Sequence, residues 1–261
     1  MRIMKKFLII LLILCLVWAI IEPNLLVVKK YLICDKDLRD LRIVLISDLH
    51  LNKNQNKKLS KIVDRINNLN PEIVFITGDF ICNAINNVSM NEHDIAQGLS
   101  KIKSSYGVFA VLGNHDYLKQ ELILVDELNN VGIKVLRNSN EFIETKGIYI
   151  AGIDDNTSSF PDIEKALNNT FCPRILLMHS PDFYESLRSH INLVVCGHNH
   201  GGQINIPFIG PLFVPAKTGR KYLYGFYDDI YKKMIVTKGI GNSILNVRFN
   251  CLPEIVLIEF Y

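Results

Sequence analysis

Short apolar, β-branched runs recur along the chain, and five of them end in the same kinds of residue. Arg42–Ser47 (RIVLIS) leads into Asp48-Leu49-His50, and Glu72–Thr77 (EIVFIT) leads into Gly78-Asp79. Gly107–Leu112 (GVFAVL) is followed by Gly113-Asn114-His115-Asp116. Arg174–His179 (RILLMH) closes on His179, and Leu193–Cys196 (LVVC) runs into Gly197-His198-Asn199-His200. Runs of this length and composition read as buried strands. Between them lie helical patterns. Leu59, Ile62, Val63, Ile66 and Leu69 share one face across Lys57–Leu69. Further helices are predicted over Asp94–Lys103 and Leu118–Asn130, and further strands over Ile148–Ile153, Tyr222–Tyr227, Lys233–Thr237 and Glu254–Phe260. Strands alternating with helices imply an α/β sheet, mostly parallel in its first part.

Residues at the carboxyl ends of neighbouring parallel strands converge on one crevice. The five clusters can therefore build one site although they are far apart in sequence. Five of the seven histidines (His50, His115, His179, His198 and His200) sit at these strand ends. Imidazole, carboxylate and amide oxygen together suit divalent ions such as Mn, Fe, Zn or Ni. Two such ions would need a shared anionic ligand, and a carboxylate can bridge. The other two, His93 and His190, lie in polar surroundings and read as solvated surface residues.

Composition narrows the alternatives. Apolar residues at 49% and charged residues at 21% exclude wholesale disorder. Five cations against one anion in residues 1–30 leave the remainder of a +3 chain with a net charge of −1. A body without a basic excess is not built chiefly to bind nucleic acid. The six cysteines form no C-x-x-C pair, so neither a zinc knuckle nor a disulfide scaffold is indicated, and most are expected to be plain buried residues.

The first thirty residues read as a separate membrane segment. Arg2, Lys5 and Lys6 precede Phe7–Ile21, an apolar run interrupted by Glu22-Pro23-Asn24 and resumed at Leu25–Val28. Three readings fit: an uncleaved single-pass anchor, a cleaved signal peptide, and a core helix. The anchor is favoured because no small-x-small cleavage site follows Ile21. The basic amino-terminal flank favours an extracytoplasmic body, and Lys29 and Lys30 on the far side weaken that preference. The division is then 1–30 for the segment and 40–261 for the domain.

D-x-H, G-D, G-N-H-D, a lone later histidine and G-H-x-H, in this order, resemble the calcineurin-like metallophosphoesterase superfamily. The resemblance covers residues 40–261. It is closer still to a bacterial branch of small, often membrane-associated phosphodiesterases that includes enzymes related to UDP-2,3-diacylglucosamine hydrolases. Pro181-Asp182, Gly201-Gly202-Gln203, Arg248-Phe249-Asn250-Cys251 and Pro253-Glu254 carry that closer likeness. The resemblance implies an α/β fold, a four-layer α/β/β/α sandwich, here preceded by the N-terminal apolar helix. It implies two divalent metal ions: one held by Asp48, His50, Asp79 and His200, the other by Asp79, Asn114, His179 and His198. It also implies hydrolysis of phosphodiester or pyrophosphate bonds of membrane-associated, lipid-linked substrates by hydroxide attack on phosphorus. His115 would stand beside the phosphate and act on the leaving group. Soluble phosphoesters are the alternative substrates. A catalytically silent scaffold is disfavoured because every ligand position is filled.

Two departures from the family pattern stand out. Cys82 occupies the place of an aspartate that pairs with the catalytic histidine in many relatives, and Asn199 replaces a threonine. Outside the pattern, Asp154-Asp155 reads as a loop cap, and Lys217–Lys221 (KTGRK) as a solvated basic loop that could also meet a phosphate or an anionic lipid head group.

Overall fold

The computed structural model describes residues 2–82, 88–118, 121–229 and 232–261. Residues 119–120, within the helix predicted over Leu118–Asn130, lie outside the described residues. One six-stranded sheet contains β1 (Val27–Ile33), β2 (Arg42–Ile46), β3 (Ile73–Thr77), β4 (Val108–Val111), β5 (Ile133–Val135) and the last strand, Glu254–Phe260. A second contains β6 (Ser139–Ile143), β7 (Ile148–Gly152), β8 (Arg174–Leu177), β9 (Ile191–Cys196) and two later strands, Gly225–Asp229 and Lys232–Val236. A two-stranded hairpin, β10 (Asn205–Ile206) and β11 (Gly210–Pro211), projects after β9. The later strands are therefore β12, β13 and β14. β2 to β5 run parallel, as do β7, β8, β9 and β13.

The period-two alternation of strands explains why the apolar runs are continuous. Ile43, Leu45, Phe75 and Phe109 point to the inner face and meet Ile150, Ile175, Leu177 and Val195 of the second sheet. Val44, Ile46, Val74 and Ile76 point outward and are covered by α2 (Asn56–Asn68), α3 (Glu92–Leu99) and α5 (Glu121–Asn130), the single turn α4 (Asn114–Tyr117) following β4. The outer face of the second sheet is covered thinly, by α6 (Ile163–Ala166), the helical turn Pro181–Ser186 and the ring of Tyr222. These are the four layers of the expected sandwich.

Three differences from the sequence reading have physical causes. Val27–Ile33 pairs in register with β14, from Val27 opposite Glu254 to Ile33 opposite Phe260, so the sheet begins well before residue 40. The half-exposed pattern of an edge strand hides it from hydropathy. α3 starts at Glu92 because the Asn91 side chain accepts the His93 amide and caps the helix. Gly219–Tyr222 forms a helical turn, which delays β12 to Gly225.

The N-terminal helix α1 (Arg2–Ile21) buries none of its residues in the domain. Its 20 residues span about 30 Å, the thickness of a bilayer's hydrocarbon core. Glu22 is not at a free boundary: it is buried, and its carboxylate accepts the amides of Asn250 (2.9 Å) and Cys251. The cysteines are all free; Cys82, Cys196 and Cys251 are buried, whereas Cys34 and Cys172 are exposed and Cys15 is half-buried, so only half follow the buried expectation.

Candidate metal centre

The strand ends meet at one edge of the sandwich. Asp48 and His50 follow β2, Asp79 follows β3, and His198 and His200 follow β9. The ligand-type atoms of Asp48, His50, Asp79 and His200 all lie within 4.8 Å of one another, and all four residues are buried. His50 Nε2 lies 3.1 Å from His200 Nε2 and 3.4 Å from Asp79 Oδ2, and His200 Nε2 lies 3.6 Å from Asp48 Oδ1. A second group adjoins it through Asp79. His179 Nε2 is 3.5 Å from Asp79 Oδ2, 3.1 Å from Asn114 Oδ1 and 3.0 Å from His198 Nδ1. Asp79 thus belongs to both groups.

The donor chemistry fits cations. The Nδ1 of His50 donates to the Ile81 carbonyl (3.2 Å), and that of His179 to the Thr77 carbonyl (2.6 Å). Their Nε2 lone pairs are thereby aimed into the cluster, an arrangement typical of metal-ligating histidines. Ligands about 2.1 Å from a common ion, at right angles to one another, stand about 3 Å apart. The facing imidazole nitrogens have that spacing. Burial pushes the pKa of His50 and of His198 down to about 4, which keeps both neutral, as ligands must be. Burial would raise the Asp79 carboxyl, but His179, by charge and hydrogen bond, outweighs it and holds the group well below the usual carboxylate range.

The backbone is bent to achieve this. Asp48, His50, Asp79, His198 and His200 all adopt left-handed φ values, between 42° and 69°. Residues with side chains rarely occupy this region, and such outliers cluster at functional sites. Gly78 also turns left-handed, with φ of 89°. Gly113 and Gly197 do not. Their hydrogen side is needed for close approach: a Cβ on Gly113 would strike Asp79 Oδ1, and one on Gly197 would strike the side chains of Ser47 and Asp48.

His115 stands beside the cluster. Its amide donates to Asp79 Oδ1 (2.9 Å), and its half-buried ring meets His50 edge-on, with centroids 4.8 Å apart. The buried carboxylate of Asp116 accepts four amides, those of Asp79 (2.9 Å), Phe80 (2.9 Å), Ile81 (3.1 Å) and Gly113 (2.9 Å). Burial, with the charge of Asp79, pushes its pKa up to about 7, and the amides pull the other way. Asp116 therefore splints the β3 and β4 loops together. Removing it in Asp116→Ala leaves four buried donors unpaired, so metal affinity should fall by about 10–100-fold, as for other residues that orient ligands. Competition against a chelating dye measures this; unchanged affinity would show that the loops hold themselves.

Other residues secure the loops. Buried Arg248 donates to the carbonyls of Lys238 (3.0 Å), Gly239 (3.3 Å), Gly241 and Cys251 (3.2 Å), and the Gly241 amide donates to the Asp48 carbonyl (2.6 Å). Asn199 ties the Tyr222 carbonyl (2.7 Å) and the Ala216 amide (3.2 Å) behind His198 and His200. Asp155 accepts from Thr157 (2.8 Å) and Ser158 (3.1 Å), which is the loop-capping role read for the Asp154-Asp155 pair. In KTGRK, Lys217 and Thr218 donate their amides to Asp182, and Lys221 pairs with Glu185. His93 pairs with Glu127 (2.9 Å) on the surface, and His190 lies 3.3 Å from the Cys172 thiol. Asp116 and Arg248 lie in the family-like blocks without an assigned role, and Glu22 lies outside them. Only an acid interrupting an apolar run hinted at Glu22.

The two-sheet sandwich, with buried imidazoles and carboxylates converging at its strand ends, defines a metallophosphoesterase scaffold. The family model for calcineurin-like phosphoesterases matches residues 41–202. The chain is 31% identical over 224 residues to the uncharacterized metallophosphoesterase YkuE of Bacillus subtilis, covering 83% of this chain and 77% of that one. It is 29% identical to the phosphodiesterase YaeI of Escherichia coli, covering 84% and 81%. It is also 29% identical to the UDP-2,3-diacylglucosamine pyrophosphatase LpxG of Chlamydia trachomatis, covering 93% and 92%. Several other bacterial relatives are longer, and the chain spans 59–61% of their length. The chain belongs to the calcineurin-like phosphoesterase family, metal-dependent hydrolases of phosphoric esters.

Proposed function

We propose that the protein is a dinuclear phosphoesterase that hydrolyses phosphodiester or pyrophosphate bonds of membrane-associated substrates. The observation that carries this is the position of Asp79 in two contiguous ligand groups. Asp48, His50, Asp79 and His200 would hold one divalent ion, Mn, Fe, Zn or Ni. Asp79, Asn114, His179 and His198 would hold the other. When bound, such a pair polarises a phosphoryl oxygen and makes water a nucleophile near neutral pH. The chain's own residues supply the rest. Ile81 and Thr77 carbonyls fix the imidazole tautomers, Asp116 fixes the loops, and His115, whose ring lies beside that of His50, would act on the leaving oxygen.

Helix α1 supports the membrane part of the reading. It is apolar, about as long as a bilayer core is thick, and unburied, with its cations at the amino end. We read it as a single-pass anchor with the domain on the extracytoplasmic side. The name of LpxG, a pyrophosphatase of a diacylated nucleotide sugar, is in keeping with a lipid-linked substrate for this chain too. The test is to strip the detergent-purified full chain of metal and restore Mn in measured equivalents while following an aryl phosphodiester. Activity should be absent without metal and should saturate as the second equivalent binds. Full activity in a verified metal-free preparation would refute the reading.

A further inference from the structure

Six large apolar side chains stand exposed around the mouth of the metal cleft. Phe208, Ile209, Leu212 and Phe213 lie on or beside the β10–β11 hairpin, and Ile244 and Leu245 lie on a facing loop. Leu212, Phe213, Ile244 and Leu245 line a cavity of about 240 Å³ whose wall also includes Asn199 and His200. Soluble surfaces rarely gather so many large apolar groups around one opening.

The topology places α1 at the same end of the sandwich. β1 starts at Val27 opposite Glu254, and β14 runs antiparallel to β2, so Glu254 stands toward the carboxyl end of β2. That is the end that carries Asp48 and His50. The helix is bound there rather than loosely tethered. Arg248 donates its amide to the Ala19 carbonyl (3.0 Å), and buried Glu22 receives the amides of Asn250 and Cys251. Trp18 lines one cavity together with Phe208 and Ile209. The apolar surface of the helix thus continues into the apolar rim of the cleft. Behind the rim comes positive charge. Arg220 donates to the carbonyls of Ile209 (3.2 Å) and Pro211 (3.0 Å), and Lys217 stands exposed nearby in sequence. An apolar tip backed by cations matches a leaflet, with hydrocarbon below and anionic head groups above.

We propose that the β10–β11 hairpin, Phe213 and the loop 243–245 dip into the leaflet that holds the carboxyl end of α1, so that the metal cleft opens onto the bilayer surface. The occupant of the rim is lipid, and an alkyl chain of a membrane phosphoester would enter the cavity beside His200. The proposal rests on reading α1 as a membrane anchor, and its test separates the two.

The full chain is reconstituted in vesicles of phosphatidylcholine and phosphatidylglycerol, with and without brominated acyl chains. Trp18 is the only tryptophan and reports on α1. In a Trp18→Phe background, Phe208→Trp and Phe213→Trp report on the rim. Phe171→Trp, before the amino end of β8, reports on the opposite end of the sandwich. Trp18 and both rim tryptophans should lose most of their emission to the brominated lipid, and the Phe171→Trp chain should keep its own. Quenching of Trp18 with no quenching at either rim position would overturn the rim proposal and leave the anchor standing. Rim emission that is shielded from water, unquenched by bromine and dependent on protein density would assign the rim to a second copy of the chain, and would equally overturn it. An unquenched Trp18 would remove both the anchor and the rim.

Discussion

Asp79→Ala is expected to leave the purified protein without either cation and with less than about one ten-thousandth of the normal turnover. A bound divalent ion can lower the pKa of water from about 15.7 to about 7. Losing even half of that shift removes about four powers of ten of nucleophile at neutral pH. Asp79 is singled out because its carboxylate lies 3.4 Å from His50 Nε2 and 3.5 Å from His179 Nε2, and so takes part in both ligand groups. It also receives the His115 amide, so the substitution frees that loop as well. Metal analysis by mass spectrometry reads the first effect, and turnover of an aryl phosphodiester reads the second. Two tightly held ions in the variant would refute the bridging role. One retained ion with residual activity would mean that the groups fill independently.

His115→Asn should keep its metal content and lose about 10²–10⁴-fold in kcat on a substrate with an alkoxide leaving group, the range typical of general acid–base groups. With p-nitrophenolate as leaving group, which needs little protonation, the loss should be clearly smaller. The geometry motivates the contrast. The His115 ring packs edge-on to the ligand-type residue His50, and its backbone amide donates to Asp79. Equal losses on both substrates would assign His115 to phosphate binding, and loss of an ion would make it a ligand. Cys82, buried where many relatives have the pairing aspartate, supplies a second comparison. If a missing carboxylate limits His115, Cys82→Asp raises the rate; a lower or unchanged rate means that this protein orients the ring otherwise.

Much of the fold was legible in the one-dimensional pattern. β2, β3, β4, β8 and β9 were visible because both of their faces are buried, which writes a continuous apolar run. α2 was visible because Leu59, Ile62, Val63 and Ile66 face one core. The seven ligand-type residues were legible because parallel strands deliver their carboxyl ends to one edge. β1, β5 and β6 leave no such signature, since short or edge strands carry mixed burial and no clean period.

By itself, then, the sequence determined the layered α/β class and the chemical inventory of the site. Those depend on local periodicity and on residue type, which are properties of the chain alone. The tertiary structure decided what depends on distant partners. It alone showed that Asp116 gathers four backbone amides, and that five ligand-type residues are held left-handed. It alone showed that Glu22 bolts the apolar helix to the loop bearing Cys251, across 229 residues. A buried acceptor takes whichever donors packing brings to it, and no spacing rule records a meeting at that separation.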